Sequence, residues 1–214
     1  MSNLEIEVWS DVVCPWCYIG HRRLRRALEN LGLSERATII HRAFQLQPDF
    51  PADRFIPTSE HLAAKYKLGP EQVVEMQKQV VAAAETEGLH YKLAHTLSGN
   101  TVDAHRIVLW AQEQGRGEEL LMRLFDAYFV KEENFFTTDN LLQFVAEVGL
   151  DVDAARGVLE SDQYEEQVID EGRLAGQFGA SGVPFFVINR KFGISGAQPI
   201  EAFEGTLNRA LENA

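Results

Sequence analysis

The residues of this sequence best suited to do chemistry are Cys14 and Cys17, the only two cysteines among 214 residues. Pro15 and Trp16 separate them. A disulfide between residues so close together encloses too short a loop to stabilise a chain of this length. A structural zinc ion needs four ligands, and the sequence has neither a second cysteine pair nor histidines at metal-binding spacing. The pattern therefore predicts two reactive thiols and no metal site.

A strand followed by a helix is expected to hold the two cysteines. Residues 4–8 alternate between aliphatic side chains and glutamates, which is typical of a strand with one buried face and one solvent face. Pro15 suits the first turn of a helix, because no N–H is required from it there. Residues 18–31 have the periodicity of an amphipathic helix, and Gly32 follows as a helix stop. The cysteine pair is thus predicted at the N-terminus of the first helix.

This position favours the thiolate, the reactive form of cysteine, because unpaired backbone N–H groups and the helix dipole stabilise negative charge. We expect Cys14 at the exposed edge of the helix and Cys17 one turn further, facing inward. Cys14 would attack a substrate disulfide. Cys17 would then resolve the mixed disulfide, which completes a two-electron exchange.

A second feature is the Val183–Pro184 pair, which lies just before an apolar run typical of a buried strand. Proline lacks the N–H that a central strand needs, so it is unusual here. A trans proline that opens the strand is one explanation. A cis peptide bond is the other explanation. Because the same chain has a C-x-x-C motif after its first strand, we predict the cis form.

The rest of the chain alternates between strand and helix signals. Residues 37–44 are rich in β-branched side chains and predict a second strand. From residue 58 to about 178 the periodicity is helical and fits about five or six helices, with Thr138 and Asp151 as candidate N-caps. Two more strands and a last helix are predicted at residues 182–188, 192–195 and 199–211.

Composition limits the class of protein. The sequence has 20 lysines and arginines against 32 aspartates and glutamates, a formal net charge of −12. Nucleic-acid binding draws its affinity from cationic side chains, so this balance argues against a nucleic-acid partner. No apolar stretch approaches the roughly 20 residues of a membrane helix, and no signal peptide is recognisable. We therefore expect a cytoplasmic protein with no membrane partner, and the sequence assigns no oligomeric state.

Residues 9–20 and residues 182–188 with 196–198 resemble the active-site and cis-proline segments of the DsbA family, in its FrnE-like branch. Residues 100–101 and 104–106 are also similar, and the resemblance covers essentially the whole chain. It implies an α/β protein with a thioredoxin fold interrupted by an all-helical insertion domain. The implied domains are two thioredoxin-like halves, at residues 1–57 and 179–214, and a helical insertion between them at residues 58–178. The last helix of the insertion returns to the thioredoxin part.

The resemblance also implies residue roles. Cys14 would be the nucleophile, Cys17 the resolving thiol and Pro184 the cis-proline, while Val183 and its backbone would help to grip an extended substrate. Pro15 and Trp16 would shape the active site. The implied function is a thiol–disulfide oxidoreductase or isomerase that acts on disulfide- or thiol-containing proteins or on small thiols. It would need no bound cofactor, with glutathione as an optional co-substrate.

Differences from related proteins define the alternatives. Trp16 stands where periplasmic DsbA proteins have a histidine, and an uncharged indole predicts a less oxidising disulfide. The related 2-hydroxychromene-2-carboxylate isomerases and kappa-class glutathione transferases use glutathione and typically have serine at the nucleophile position. A glutathione-dependent isomerase or transferase is therefore the alternative function, and the presence of both Cys14 and Cys17 argues against it. A chaperone or binding module with incidental redox chemistry is a third alternative.

Three further groups each have two interpretations. Asp11 is either a proton acceptor for Cys17 or a turn residue. The basic cluster at residues 21–26 is either a source of positive potential near the thiols or, as we expect, a solvated helix face. The aromatic residues at 128–129 and 135–136 either line a substrate groove or, as we expect, form helical core.

Overall fold

A computed structural model describes residues 3–213 of the chain. Contacts within it divide the chain into two compact units, one made of the residues up to Leu46 and from Glu166 onward, the other of Gln47–Glu165. In chain order the strands and helices are β1 (Leu4–Ser10), α1 (Pro15–Asn30), β2 (Ala37–Ala43), β3 (Phe55–Pro57), α2 (Thr58–Tyr66), α3 (Pro70–Glu85), β4 (Leu97–Gly99), α4 (Val102–Glu113), α5 (Gly117–Phe129), α6 (Thr138–Glu147), α7 (Val152–Leu159), α8 (Glu165–Gln177), β5 (Phe185–Ile188), β6 (Phe192–Ser195) and α9 (Ile200–Glu212).

The first unit is built on a four-stranded sheet with the order β2-β1-β5-β6. Strand β1 runs parallel to β2 and antiparallel to β5, and Val8 lies opposite His41 on one side and Phe186 on the other. Strand β6 pairs antiparallel with β5. A parallel strand pair joined through a helix, continued by an antiparallel hairpin and a last helix, is the thioredoxin fold. This confirms the fold class that the sequence predicts.

Both faces of the sheet are covered by apolar side chains. On one face, Leu4, Ile6 and Val8 join a core with residues of α1 and α9, in which Phe186 and Phe203 meet edge to face at a centroid distance of 4.9 Å. On the other face, a smaller core forms around Trp9, with contributions from β5 and α8. Strand β1 is therefore buried on both sides as it leads to Cys14.

Burial of the second face corrects the prediction that Glu7 lies in solvent. Its side chain is 1% exposed and forms an ion pair with Arg42 at 2.8 Å. Arg42 also pairs with Glu171 at 2.9 Å, and Glu171 accepts the backbone N–H of Ala43. Trp9 donates its indole N–H to the carbonyl of Glu171 at 2.8 Å. The alternation in β1 was interpreted wrongly because α8, far away in sequence, covers this face.

The second unit is mainly helical. Residues 58–177, the range predicted to be helical, form seven helices, of which α2 to α7 belong to this unit and α8 belongs almost wholly to the first unit. The number exceeds the five or six predicted because short loops at Gly149 and at residues 160–164 separate α6, α7 and α8. Strands β3 and β4 form a small antiparallel ladder, so the description as all-helical is wrong in this detail. Asp151 caps α7 as predicted, whereas the cap of α6 is Thr137 rather than Thr138. The domain boundaries at residues 57/58 and 178/179 stay predictions.

Within residues 3–213, none of the helices combines the length and the apolar character that a membrane crossing requires.

Candidate active site

Cys14 is the N-cap residue of α1, and Pro15 is the first residue of this helix, as predicted. The turn that joins β1 to the helix is closed by the N–H of Cys14, which donates to the carbonyl of Asp11 at 2.9 Å. The N–H of Cys17 donates to the carbonyl of Cys14 at 3.0 Å and starts the helix. The sulfur of Cys14 is therefore attached at the end of the helix where backbone N–H groups and the dipole favour an anion.

Cys14 is buried, with 4% of its surface exposed, which corrects the prediction that it lies at an exposed edge. Its thiol donates to the carbonyl oxygen of Val183 at a sulfur–oxygen distance of 3.6 Å. The loop before β5 thus contacts the Cys14 sulfur, which the local sequence alone would predict to be exposed to solvent.

Cys17 is 1% exposed and points inward, as predicted, and both cysteines are free thiols. Burial raises the pKa of the Cys17 thiol well above its ordinary value, because a thiolate is poorly solvated in the interior. The hydrogen bond with Cys14 and the charge of Cys14 raise this pKa further, whereas a backbone hydrogen bond with Asp11 lowers it. Cys17 therefore keeps its proton at neutral pH.

The peptide bond between Val183 and Pro184 is cis, as predicted. Gly20, in the second turn of α1, allows this loop to approach the helix. A Cβ atom at Gly20 would lie 3.0 Å from Cγ of Pro184 and 3.1 Å from Cζ of Phe186, and both of these residues are buried. The absence of a side chain at residue 20 thus lets Pro184 pack directly on the helix that carries the cysteines.

We expect Gly20→Ala to destabilise the protein by about 1 kcal/mol. Overpacking a buried contact costs roughly 1–3 kcal/mol, and the better helix propensity of alanine returns up to about 1 kcal/mol. The matched control is Gly205→Ala in α9, where a Cβ meets no atom within 4 Å and only the propensity gain applies. Urea unfolding should give free-energy changes of opposite sign, and an equal stabilisation of both variants would contradict the proposed contact.

The remaining predicted site residues differ in exposure. Trp16 is 39% exposed, as expected for a residue between two cysteines at a helix start, and Pro15 is half-buried. In the basic cluster, Arg22 and Arg26 are exposed, but Arg23 is half-buried and donates to the carbonyl of Ala197 at 2.6 Å. The expectation of a solvated face is therefore right for part of the cluster, while Arg23 ties α1 to the loop after β6.

Of the aromatic residues at 128–129 and 135–136, all but Phe136 are core, as expected, and Phe136 is half-buried. Tyr128, Phe129 and Phe135 are each at most 3% exposed, and the ring of Tyr128 contacts both Phe129 and Phe135. His41 and His105 are also buried.

Two features of the site were missed by sequence reasoning. Gly20 carried a signal, because a glycine inside a helical pattern lowers helix stability relative to alanine and so indicates a reason in packing or function. The pairing of Glu7 and Glu171 with Arg42 carried none, since the three residues lie on separate elements.

Comparisons with known proteins agree with this geometry. Residues 5–208 match the model of the DSBA-like thioredoxin domain family. A crystal structure described as a probable DsbA oxidoreductase from Streptomyces coelicolor is 36% identical, with a TM-score of 0.94 over 99% of this chain and 92% of that chain.

Two solved structures of lower identity share the fold. The cytosolic disulfide reductase DsbM from Pseudomonas aeruginosa, also solved with GSH, is 18% identical, with a TM-score of 0.65 over 98% of this chain and 100% of that chain. A 2-hydroxychromene-2-carboxylate isomerase is 16% identical, with a TM-score of 0.71 over 98% of this chain and 97% of that chain. Because the family model matches nearly the whole sequence and a solved structure matches it in both sequence and fold, the chain belongs to the DSBA-like thioredoxin domain family.

Proposed function

We propose that this protein is a thiol–disulfide oxidoreductase that works through the dithiol of Cys14 and Cys17. The observation that carries the proposal is the pair of free thiols at the N-terminus of α1, hydrogen-bonded to each other. Cys14 attacks one sulfur of a substrate disulfide, and the other leaves as a thiolate. Cys17 then attacks the sulfur of Cys14 and releases the substrate as a second thiolate. The two cysteines lose two electrons, which the substrate gains.

The two thiols are suited to different steps. Cys14 lies at the helix end that favours a thiolate, so it is the group that attacks first. Cys17 is buried and keeps its proton, so it does not attack a substrate disulfide directly. It gives up the proton when it attacks the sulfur of Cys14 in the mixed disulfide.

The carbonyl of Val183 supports a role of the cis-proline loop in substrate binding. In the dithiol form this oxygen accepts the Cys14 thiol. A thiolate or a mixed disulfide has no S–H to donate, so the oxygen becomes available to the backbone N–H of an extended substrate. Trp16, which lies between the two cysteines in sequence, is exposed and offers an apolar surface for such a substrate. Pro15 and Pro184 shape the site without taking part in bond changes.

The proposed substrates are disulfides or thiols of proteins and small molecules, and glutathione is proposed as a co-substrate rather than a bound cofactor. The solved complex of DsbM with GSH shows that a protein of this fold accommodates that thiol. We propose a cytoplasmic setting, in which the net reaction is reduction or isomerisation of disulfides, because the cytoplasm keeps most thiols reduced.

Equilibration in glutathione buffers of graded potential tests this function. Free thiols counted by alkylation and gel shift should disappear in a single two-electron transition. We expect a midpoint between that of thioredoxin, about −270 mV, and that of DsbA, about −120 mV, because Trp16 carries no charge that would stabilise the thiolate. Thiols that never pair at any potential would refute the proposal and favour a glutathione-dependent isomerase or transferase.

A further inference from the structure

Arg23 of α1 is bonded to the turn that follows β6. Its Nη1 donates to the carbonyl of Ala197 at 2.6 Å and lies 3.5 Å from the carbonyl oxygen of Gln198. Hydrogen bonds from a guanidinium carry a charge and leave its plane in fixed directions, so they restrict their acceptors more than neutral hydrogen bonds do. Arg23 is half-buried, whereas the neighbouring Arg22 is exposed. The contact is therefore a defined attachment of the turn to the helix.

The turn itself, residues 196–198, is closed by its own hydrogen bonds. The N–H of Gln198 donates to the carbonyl of Gly196 at 2.9 Å, and the side-chain amide of Gln198 donates to the carbonyl of Ser195 at 2.8 Å. Gly196 has a φ of 79°, in the left-handed region that favours glycine. Because these bonds make the turn one local unit, a contact that fixes Ala197 also fixes Gly196.

Gly196 in turn holds the loop before β5. Its N–H donates to the carbonyl of Pro184 at 2.8 Å. The carbonyl of the preceding residue, Val183, accepts the Cys14 thiol at 3.6 Å. Two hydrogen bonds and the short backbone segments between them thus connect Arg23 with the carbonyl oxygen of Val183. All of these residues belong to the first unit.

Apolar packing alone positions this turn weakly. The part of α1 next to it is Gly20, where a Cβ would lie 3.5 Å from the Cβ of Ala197. Glycine has no side chain that could interlock with the turn, and apolar contacts are not directional. Arg23 lies about one turn further along the helix and supplies the directional contact. The turn therefore depends on Arg23 for its exact place on α1.

We propose that Arg23 is a positioning residue for peptide substrates: through residues 196–198 it fixes the Val183 carbonyl that accepts the backbone N–H of an extended peptide. This inference rests on the proposed dithiol chemistry. A binding group has to be held within about 0.5 Å of its productive position, so a turn released from α1 weakens the binding of a peptide. A small disulfide without amide groups does not use this carbonyl, and its reaction with Cys14 is independent of Arg23.

Two probe disulfides with the same leaving group separate binding from reactivity. In one, 2-nitro-5-thiobenzoate is joined to the single central cysteine of a short extended peptide, and in the other it is joined to 2-mercaptoethanol. Cys14 attacks the other sulfur of the probe, the disulfide bond breaks, and 2-nitro-5-thiobenzoate leaves as a coloured thiolate. Cys17 then attacks the sulfur of Cys14 and releases the peptide or mercaptoethanol as a thiolate. The two cysteines lose two electrons, which the probe gains, and their protons go to solvent.

Stopped-flow absorbance with excess probe gives the half-saturation concentration and the limiting rate of colour release. We expect Arg23→Met to raise the half-saturation concentration of the peptide probe about threefold to tenfold, which corresponds to the loss of about one hydrogen bond. The limiting rate, and the rate constant with the small probe, should stay at their wild-type values. Arg23→Lys keeps the charge and a single donor group and should rescue part of the loss. The matched control is Arg22→Met, which removes the same charge from an exposed position of α1 and should behave like the wild type.

An unchanged half-saturation concentration in Arg23→Met would overturn the proposal. An equal slowing with both probes would also overturn it, because the effect would then lie at Cys14 itself, and an equal rise in Arg22→Met would reduce it to an effect of charge. If Arg23→Met does not fold, Arg23→Lys decides, and wild-type values with both probes would then count against the proposal. Failure of the proposed function has a separate signature, since the wild-type protein would then release colour from neither probe faster than Cys14→Ser does.

Discussion

Replacing Cys14 by serine should reduce disulfide exchange to the uncatalysed background, whereas replacing Cys17 by serine should stop the reaction at a mixed disulfide. A hydroxyl group at the helix N-terminus is not ionised at neutral pH and does not attack sulfur, so Cys14→Ser loses the first step. Cys17→Ser keeps the nucleophile and loses only the resolving thiol. Reduction of glutathione disulfide and mass spectrometry of the unreduced protein measure the two effects.

The variants should separate clearly in the mass spectrum. With excess glutathione disulfide, Cys17→Ser should gain one glutathione per chain, attached to Cys14, and Cys14→Ser should gain none. The double variant is the control for non-specific reaction. Glutathione attached to Cys17 in the Cys14→Ser variant, at the rate seen in the other single variant, would show that the roles of the two thiols are assigned wrongly.

Replacing Arg42 by methionine should lower the free energy of unfolding by about 3 kcal/mol at neutral pH. Removing one partner of a buried ion pair costs roughly 3–5 kcal/mol, because the remaining charge has no counter-ion. Arg42 serves two carboxylates, Glu7 and Glu171, whose side chains are 1% and 5% exposed. The lower end of the range applies because Arg42 itself is 22% exposed and Arg190 lies 3.6 Å from Glu7. Urea unfolding monitored by circular dichroism measures the loss.

Arg173→Met in α8 is the matched control. Arg173 pairs with Asp170 at 2.7 Å, but both side chains are more than half exposed, so we expect a loss below about 1 kcal/mol. The stability losses of the two variants should also depend differently on pH. The deficit of Arg42→Met should shrink as the pH falls and the unpaired carboxylates lose their charge, whereas the control should change little. Equal losses in both variants would show that the buried network adds nothing to stability.

Much of the site follows from local sequence. The placement of Cys14 and Cys17 at a helix N-terminus depends on an apolar strand, on Pro15 and on a helical period, and all three are local properties. The inward direction of Cys17 follows from its place one turn into the helix. The cis bond at Val183–Pro184 was also predictable, although only in combination with the cysteine motif.

Other properties depend on contacts between distant residues. The hydrogen-bond partner of the buried Cys14 thiol is a carbonyl 169 positions later in the chain. The burial of Glu7 also depends on a distant segment. The alternation in β1 predicts that its side chain faces solvent, but α8 covers this face of the sheet. The same is true of Gly20, whose missing side chain matters because Pro184 and Phe186 pack against it. No local pattern encodes which distant element covers a given face.

The sequence by itself thus determined the order of most elements and the place of the two cysteines at a helix N-terminus, because periodicity, caps and the C-x-x-C motif act over a few residues. The fold class followed from the family resemblance of the segments around Cys14 and Pro184. Only the tertiary structure decided which groups surround each sulfur. The burial of Cys17 and the carbonyl that receives the Cys14 thiol arise when β1, α1 and the loop before β5 pack together. Solvation and charge at a sulfur atom depend on its neighbours in space, and those neighbours come from segments far apart in the chain.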